Sequence, residues 1–534
     1  MIFLLGYHDN VELEKHVKPT SKKEILGWYS CGFSNEVFSI VSMGTFVPIL
    51  LEQLVRNSGV LLSNKAIPCV SHGLSYATFS SQSNKDLSLC VIHVSGIGWV
   101  DSYSFSLYVY SIASLLQSII IISVSGLADY GKNRKTLLLI FSIIGSFSAI
   151  SFIFINKQYF FASFLFILCS ICYGASTVLL NAFLPGLSRN HPLVIEECNK
   201  SSSRQSLVRG TSFLRDDVSE DYDSSFLDYT KISDSRISAL MLDLSSSISS
   251  CGIAISYCGA LVFQIISIFI IQIIGSGIFS SQIIISASGL WWMVFSIPVA
   301  IWLRSRLLPS LSQDILGKPS FIGYILYSWK SLIDTFLDVR KYKDVVIFLA
   351  AWFFISNGYS SIISTTVLFA KSALYIPLIG LVVISLLSTL FGILGAFSWP
   401  YISQKFKFSP SYTLFLILSL SLFIPVYGII GLFPISIGLK HPIEIYILAI
   451  FFGFLYGGLQ GYSRSYFGQL CPENYEARFY ALYAVTEKFS SFFGPGIIGC
   501  IVDIMHNMRY AFFFLFVTMA ISILILVQLK MYNK

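Results

Sequence analysis

Charged and amide side chains inside apolar windows are the residues of this sequence that could do chemistry. In "YAVTEKFSSFFGPGIIG" (Tyr483–Gly499), Glu487 and Lys488 stand side by side, and Gly494-Pro495-Gly496 follows within two turns. Asn35 with Glu36, Asn181, Asn357, and Gln460 with Arg464 lie in windows of the same kind. An ionisable group costs about 2.5–3.5 kcal/mol at the centre of a bilayer and usually faces an interior or a water-filled cavity. A carboxylate there could accept an ammonium or carry a proton, and a lysine or arginine could hold a carboxylate. That set suits moving a small charged solute better than transforming it. Adjacent helical residues point about 100° apart, so Glu487 and Lys488 are expected to need separate partners or water. Gly-Pro-Gly frees backbone groups and is expected to kink its helix, which a membrane tolerates where neighbours or water satisfy them. Structural readings compete: a snorkelling Glu36, an interfacial anchor at Arg464, and a static salt bridge at Glu487 and Lys488.

Other chemistry has little to stand on. The histidines are dispersed, and there is no metal-ligand cluster, Walker loop, nucleotide fingerprint or Ser/His/Asp set. No enzyme activity, cofactor, metal or nucleic-acid partner is expected. Cys169 and Cys172 have a redox-like spacing but fall in an apolar window, where packing is the better reading. Cys69 and Cys90 share one connection and could pair; the sequence leaves this open.

The elements that must position these residues are membrane helices. The chain has 534 residues, 55% hydrophobic and 12% charged, with mean hydropathy +0.73; a soluble protein carries about 25% charged residues. Windows long enough to span a bilayer fall near 28–51, 104–127, 137–155, 161–185, 238–274, 283–303, 345–369, 376–398, 412–433, 443–463, 479–502 and 509–530. They divide the chain into an N-terminal tail (1–26), a six-helix half (27–303), a central polar segment (304–344) and a second six-helix half (345–534). The first half carries a long connection at 56–103 and a Ser-rich one at 186–236, expected to be largely disordered in its polar stretch. The start of the chain has too short an apolar run for a cleaved signal peptide, so the first helix is expected to act as signal anchor.

Lysine and arginine set the orientation. With the N-terminus cytosolic, 27 of the 35 fall on the cytosolic side, 7 on the other, and Lys488 within a helix. Both termini are therefore expected in the cytosol, and this bias accounts for the net charge of +7 without a nucleic acid.

"GLADYGKNRKTLLL" (Gly126–Leu139) joins the second and third windows. Gly126 permits close helix approach, Asp129 ends the helix, Gly131 allows a tight turn, and Lys132, Arg134 and Lys135 hold the loop in the cytosol. This resembles the loop signature of the major facilitator superfamily, though its glycine follows the aspartate sooner than usual. That resemblance implies an all-α fold of two six-helix halves rocking about a midplane site, lined by helices 1, 4, 7 and 10. It makes Asn35, Glu36, Asn181, Asn357, Gln460, Arg464, Glu487 and Lys488 candidates for a substrate or proton pathway. Gly126, Asp129, Gly131, Arg134, Gly494, Pro495 and Gly496 become candidates for gating. Phe33, Phe353, Phe354 and Tyr456 could shape an apolar pocket. Gly453, Gly457 and Gly461 form a stripe on which another helix can pack backbone to backbone.

Longer stretches resemble a narrower group. Gly27–Arg56, Tyr173–Leu187, Gly289–Arg304, Ala351–Lys371 and above all "GLQGYSRSYFGQLCPENYEARFYALYAVTEKFSSFFGPGIIGCIVD" (Gly458–Asp503) resemble the fungal autophagy-related protein 22 family, in the family's order. In that family the short Asp-Tyr-Gly turn is usual. The resemblance implies a vacuole-membrane effluxer delivering neutral amino acids, leucine and similar, to the cytosol after autophagic breakdown, with protons as a possible second partner. The alternatives are a facilitator for another small solute and a non-transporting scaffold in autophagy.

Overall fold

The computed structural model describes residues 19–69, 90–94, 96, 98–128, 133–156, 158–200, 220–305, 321–434, 436–471 and 476–532. Twelve of its helices are long and apolar enough to cross a membrane. They are α1 (Lys22–Ser58), α2 (Ser102–Ala128), α3 (Asn133–Ile150), α4 (Tyr159–Arg189), α5 (Glu220–Ile274), α6 (Ile278–Trp302), α7 (Lys343–Ala373), α8 (Leu378–Phe406), α9 (Pro410–Ile430), α10 (Pro442–Leu470), α11 (Glu476–Met505) and α12 (Ala511–Tyr532). Twelve crossings return the chain to the face it started from. That face is termed terminal below, and the other distal.

Several ends have local causes. Ser21 caps α1 by accepting from the Glu24 amide at 3.3 Å, and Ser409 followed by Pro410 starts α9, both common N-terminal choices. At α10 the Glu444 carboxylate accepts from the amides of Leu439, Lys440 and His441. Serines within the spans are satisfied locally. Ser118, Ser146, Ser148 and Ser267 each donate to the carbonyl four residues back, so their hydroxyls cost little in lipid. Large apolar residues such as Phe147 on α3, Ile301 on α6 and Leu524 on α12 are exposed, as on surfaces that meet acyl chains.

The halves meet along α2 with α11 and α5 with α8. Within the second half, α8 and α10 pack backbone on backbone. A Cβ on Gly453 would overlap the Ser388 carbonyl, and one on Gly457 the Gly392 carbonyl. Gly461 does not continue that stripe: a Cβ there would meet nothing within 4 Å. Helix α11 runs unbroken through Pro495, and the Ser111 hydroxyl of α2 donates to the Phe492 carbonyl at 2.6 Å.

Helix α1 changes pitch. Phe38–Phe46 is a nine-residue π-helical stretch, a form rare enough to mark functional sites. Its Met43 carbonyl accepts from the Tyr110 hydroxyl at 2.9 Å, and Ser42 meets Ser288 at 2.5 Å.

One expectation needs correction, and two connections hold structure that the sequence reading did not give. Residues 220–236 of the Ser-rich connection are helical, because α5 is 55 residues long and starts well before the apolar window. The central segment contains a helix, Phe321–Val339, packed on α2 with Trp329 donating to Ser123; with Lys330, Asp334 and Asp338 in it, it is not apolar enough to count among the spans. The distal connection holds an antiparallel sheet, β1 (Val60–Leu61), β2 (Cys90–Val94) and β3 (Gly98–Asp101) in the order β1-β2-β3, pinned by a Cys69–Cys90 disulfide.

Candidate functional site

Two clusters of ionisable groups lie between the halves. One surrounds Glu36 at the centre, and the other closes the distal face.

Glu36 projects from α1 just before the π-helical stretch. Around its carboxylate stand Tyr173 of α4, Tyr257 of α5, Tyr456 and Arg464 of α10, and Lys488 of α11, all within electrostatic reach. Gln460 donates to the Tyr456 hydroxyl at 2.9 Å, and the Tyr456 ring packs on Tyr359 and stacks on Phe452. One turn on, Tyr483 donates to Ser463 at 3.0 Å and stacks on Trp352, with centroids 4.5 Å apart. Arg464 is exposed and the Lys488 side chain is 37% exposed.

The sequence-derived residues do not all meet there. Glu36, Gln460, Arg464, Glu487 and Lys488 converge. Glu487 and Lys488 approach each other at 3.6 Å, against the expectation that neighbours on a helix cannot pair; long side chains curl back across the 100° between them. Asn35 is 3% exposed and turned into the bundle, donating to Ser176 of α4 at 3.1 Å while its buried Oδ1 accepts no bond from a described residue. Asn357 is also buried: Ser361 donates to it at 3.3 Å, and both crowd Gly494 of α11. Asn181 is exposed and makes no hydrogen bond to a described residue. Phe33 packs on Trp291 and Phe295 of α6, away from the centre. Phe353 contacts Phe354 and Phe493.

Of the gating set, Gly126 lies in the last turn of α2. Arg134 donates to the Ala182 carbonyl at 2.6 Å and lies over the Phe183 ring, fixing α3 to α4. Asp129 and Gly131 lie outside the described residues. Gly494, Pro495 and Gly496 sit where α11 presses on α7 and α2, a Cβ on Gly496 meeting Ser111 at 2.9 Å.

The distal cluster was not read from the sequence. Glu52, fully buried near the end of α1, accepts from Lys371 of α7 at 2.5 Å and from Arg56 of its own helix at 2.9 Å. Arg56 in turn donates to the Tyr103 hydroxyl of α2 at 2.7 Å. Beside it, Asp503 of α11 accepts from the Asp101 amide at 2.9 Å and the Tyr108 hydroxyl at 2.6 Å. His506 meets the Asp101 carboxylate at 3.0 Å. Burial raises the Asp101 pKa, with the Asp503 charge adding to it and His506 opposing. Apart from those of Arg56, these bonds cross from the first half to the second on the distal side. Glu52 with Arg56 at i+4 was a usable signal, but the pair lies just past the first apolar window.

A family model described as "Vacuole effluxer Atg22 like" matches residues 20–534. Autophagy-related protein 22-1 of Penicillium rubens is 41% identical, over 96% of this chain and 91% of the relative. Autophagy-related protein 22 of Pyricularia oryzae is 40% identical, over 94% and 75%. Among solved structures, a mutant of peptide transporter POT with sulfate has a TM-score of 0.56 at 12% identity, covering 96% of this chain and 94% of that one. A mutant of nucleoside transporter NupG has a TM-score of 0.52 at 9% identity, covering 93% and 99%. The solved structures share the fold, that of two-half facilitators.

Proposed function

The chain belongs to the Atg22-like vacuole effluxer family, and from that premise we propose that it is a secondary transporter of neutral amino acids, leucine and similar, out of the vacuole. It works by alternating access in the vacuolar membrane, with both termini cytosolic, so that the terminal face is the cytosolic one and the distal face lumenal. The supporting observation is the convergence of Glu36 with Arg464 and Lys488, a carboxylate facing two cations between the halves. A zwitterion needs an acceptor for its ammonium and donors for its carboxylate, and charge-assisted contacts of this kind are the stronger ones. Glu36 takes the ammonium. Lys488 and Arg464 take the carboxylate. The rings of Tyr456, Tyr359 and Phe452 offer apolar surface to the side chain.

Glu36, or Glu487 beside Lys488, also carries a proton from the acidic lumen. Each pH unit of gradient then contributes roughly 1.4 kcal/mol per proton moved. Gln460, positioned by Tyr456, orients the tyrosine hydroxyl toward this centre.

Labelled leucine flux through liposomes holding the purified protein tests the reading. Saturable flux is expected, accelerated by an acidic lumenal-side buffer, and Glu36→Gln should abolish the pH drive and raise the KM of the exchange that remains. No flux of any neutral amino acid through folded protein overturns the assignment. Competition by nucleosides or peptides, the solutes named for its fold neighbours, would reassign the substrate.

A further inference from the structure

On the alternating-access reading, the distal face must open, and Lys371 of α7 must part from Glu52 of α1. We infer that Glu52, Arg56 and Lys371 form a charge-retaining latch, in which Arg56 makes release possible and Lys371 makes closure hold.

The geometry carries this. Glu52 has a side chain that is 0% exposed and two cations, one on each oxygen. The cations differ in which half they belong to. Arg56 is four residues along the same helix and is also held by Tyr103 of α2, so these two bonds lie within the first half. Lys371 comes from the second half and crosses the boundary. When the halves part, the first half keeps a paired carboxylate. Lys371, at the end of α7 with a side chain already 16% exposed, gains water. No buried charge is stranded.

Remove Arg56, and the same motion leaves Glu52 with no cation on either oxygen, a costlier opening than one in which Arg56 stays paired to it. Remove Lys371, and the closed state loses a tie while the open state loses little. Two cations on one carboxylate therefore have opposite effects on opening. Among the described residues, the charged and titratable groups next to the latch include Tyr103 of α2 and the Asp101–His506–Asp503 set between β3 and α11, which both substitutions leave in place.

Pulsed electron resonance between spin labels on Ser276→Cys, after α5, and Tyr375→Cys, after α7, reads the distal separation, with the free cysteines replaced. Purified full-length protein in nanodiscs, with and without leucine, should show a short and a long distance. Lys371→Met should raise the long-distance population about tenfold, and Lys371→Arg should restore the wild-type ratio. Arg56→Met should lower that population by about tenfold. Shifts in the same direction, or none, overturn the latch while leaving transport standing. A single distance in the wild type under every condition overturns alternating access, and the latch with it. Thermal unfolding of each variant separates a shifted equilibrium from a damaged fold: a variant melting with wild-type cooperativity and shifted as stated supports the latch, and one whose distances merely broaden without a shift counts against it.

Discussion

Gly457→Ala should destabilise the protein, while Gly461→Ala, one turn along the same helix, should not. A methyl at Gly457 would overlap the Gly392 carbonyl oxygen and lie 2.9 Å from its carbon and 3.0 Å from the Ala396 nitrogen. These obstacles are backbone atoms of α8 and cannot swing aside, so α8 and α10 must separate. Overpacking costs about 1–3 kcal/mol, and a rigid obstacle belongs at the upper end. Replacing glycine by alanine inside a helix returns about 1 kcal/mol. The net is a loss of roughly 2 kcal/mol. At Gly461 no atom from a packed neighbour lies within 4 Å of the added carbon, so only the propensity gain of about 1 kcal/mol remains. Thermal unfolding of purified protein, followed by the size-exclusion profile of the heated sample, measures both. The expected melting shifts are a few degrees downward at 457 and none or slightly upward at 461. Equal losses at both sites, or none at 457, would refute the claim that direct backbone contact holds α8 on α10.

Arg464→Gln and Lys488→Gln should each raise the KM for leucine about tenfold, the weight of one charged hydrogen bond; initial-rate flux measures it, and unchanged KM in both removes the carboxylate contact. Asp101 has a raised pKa through burial. Between that raised value and the ordinary aspartate range, the folded protein holds a proton that the unfolded chain releases. Stability should therefore rise as pH falls through this window, and Asp101→Asn should remove that slope in melting curves taken at stepped pH.

The central site was partly legible for a simple reason. Glu36, Gln460, Arg464, Glu487 and Lys488 stand out because each is polar in an apolar window. Asn35 and Asn357 carry the same signal, yet they tie α1 to α4 and crowd α11 instead. A buried amide and a solvated one look alike until neighbouring helices are placed. Tyr173 and Tyr257 gave no signal at all, since a tyrosine in a membrane helix is ordinary. The distal latch hid differently: Glu52 and Lys371 lie 319 residues apart, and each reads as an interfacial charge near the end of its own helix.

Sequence alone determined the crossings, because apolar length against bilayer thickness is a local property of the chain. It also determined the family, since whole stretches such as Gly458–Asp503 keep their order and character. It marked Gly453 and Gly457 as places for close approach, because only a missing side chain lets two backbones touch. Tertiary structure decided which charges share a space, that α1 turns π-helical beside Glu36, and that Lys371 meets Glu52 across the halves. Those outcomes depend on how twelve separately stable helices rotate and tilt against one another. Helical rotation is set by packing and cross-helix hydrogen bonds, and no local pattern in one helix records the partner it will meet.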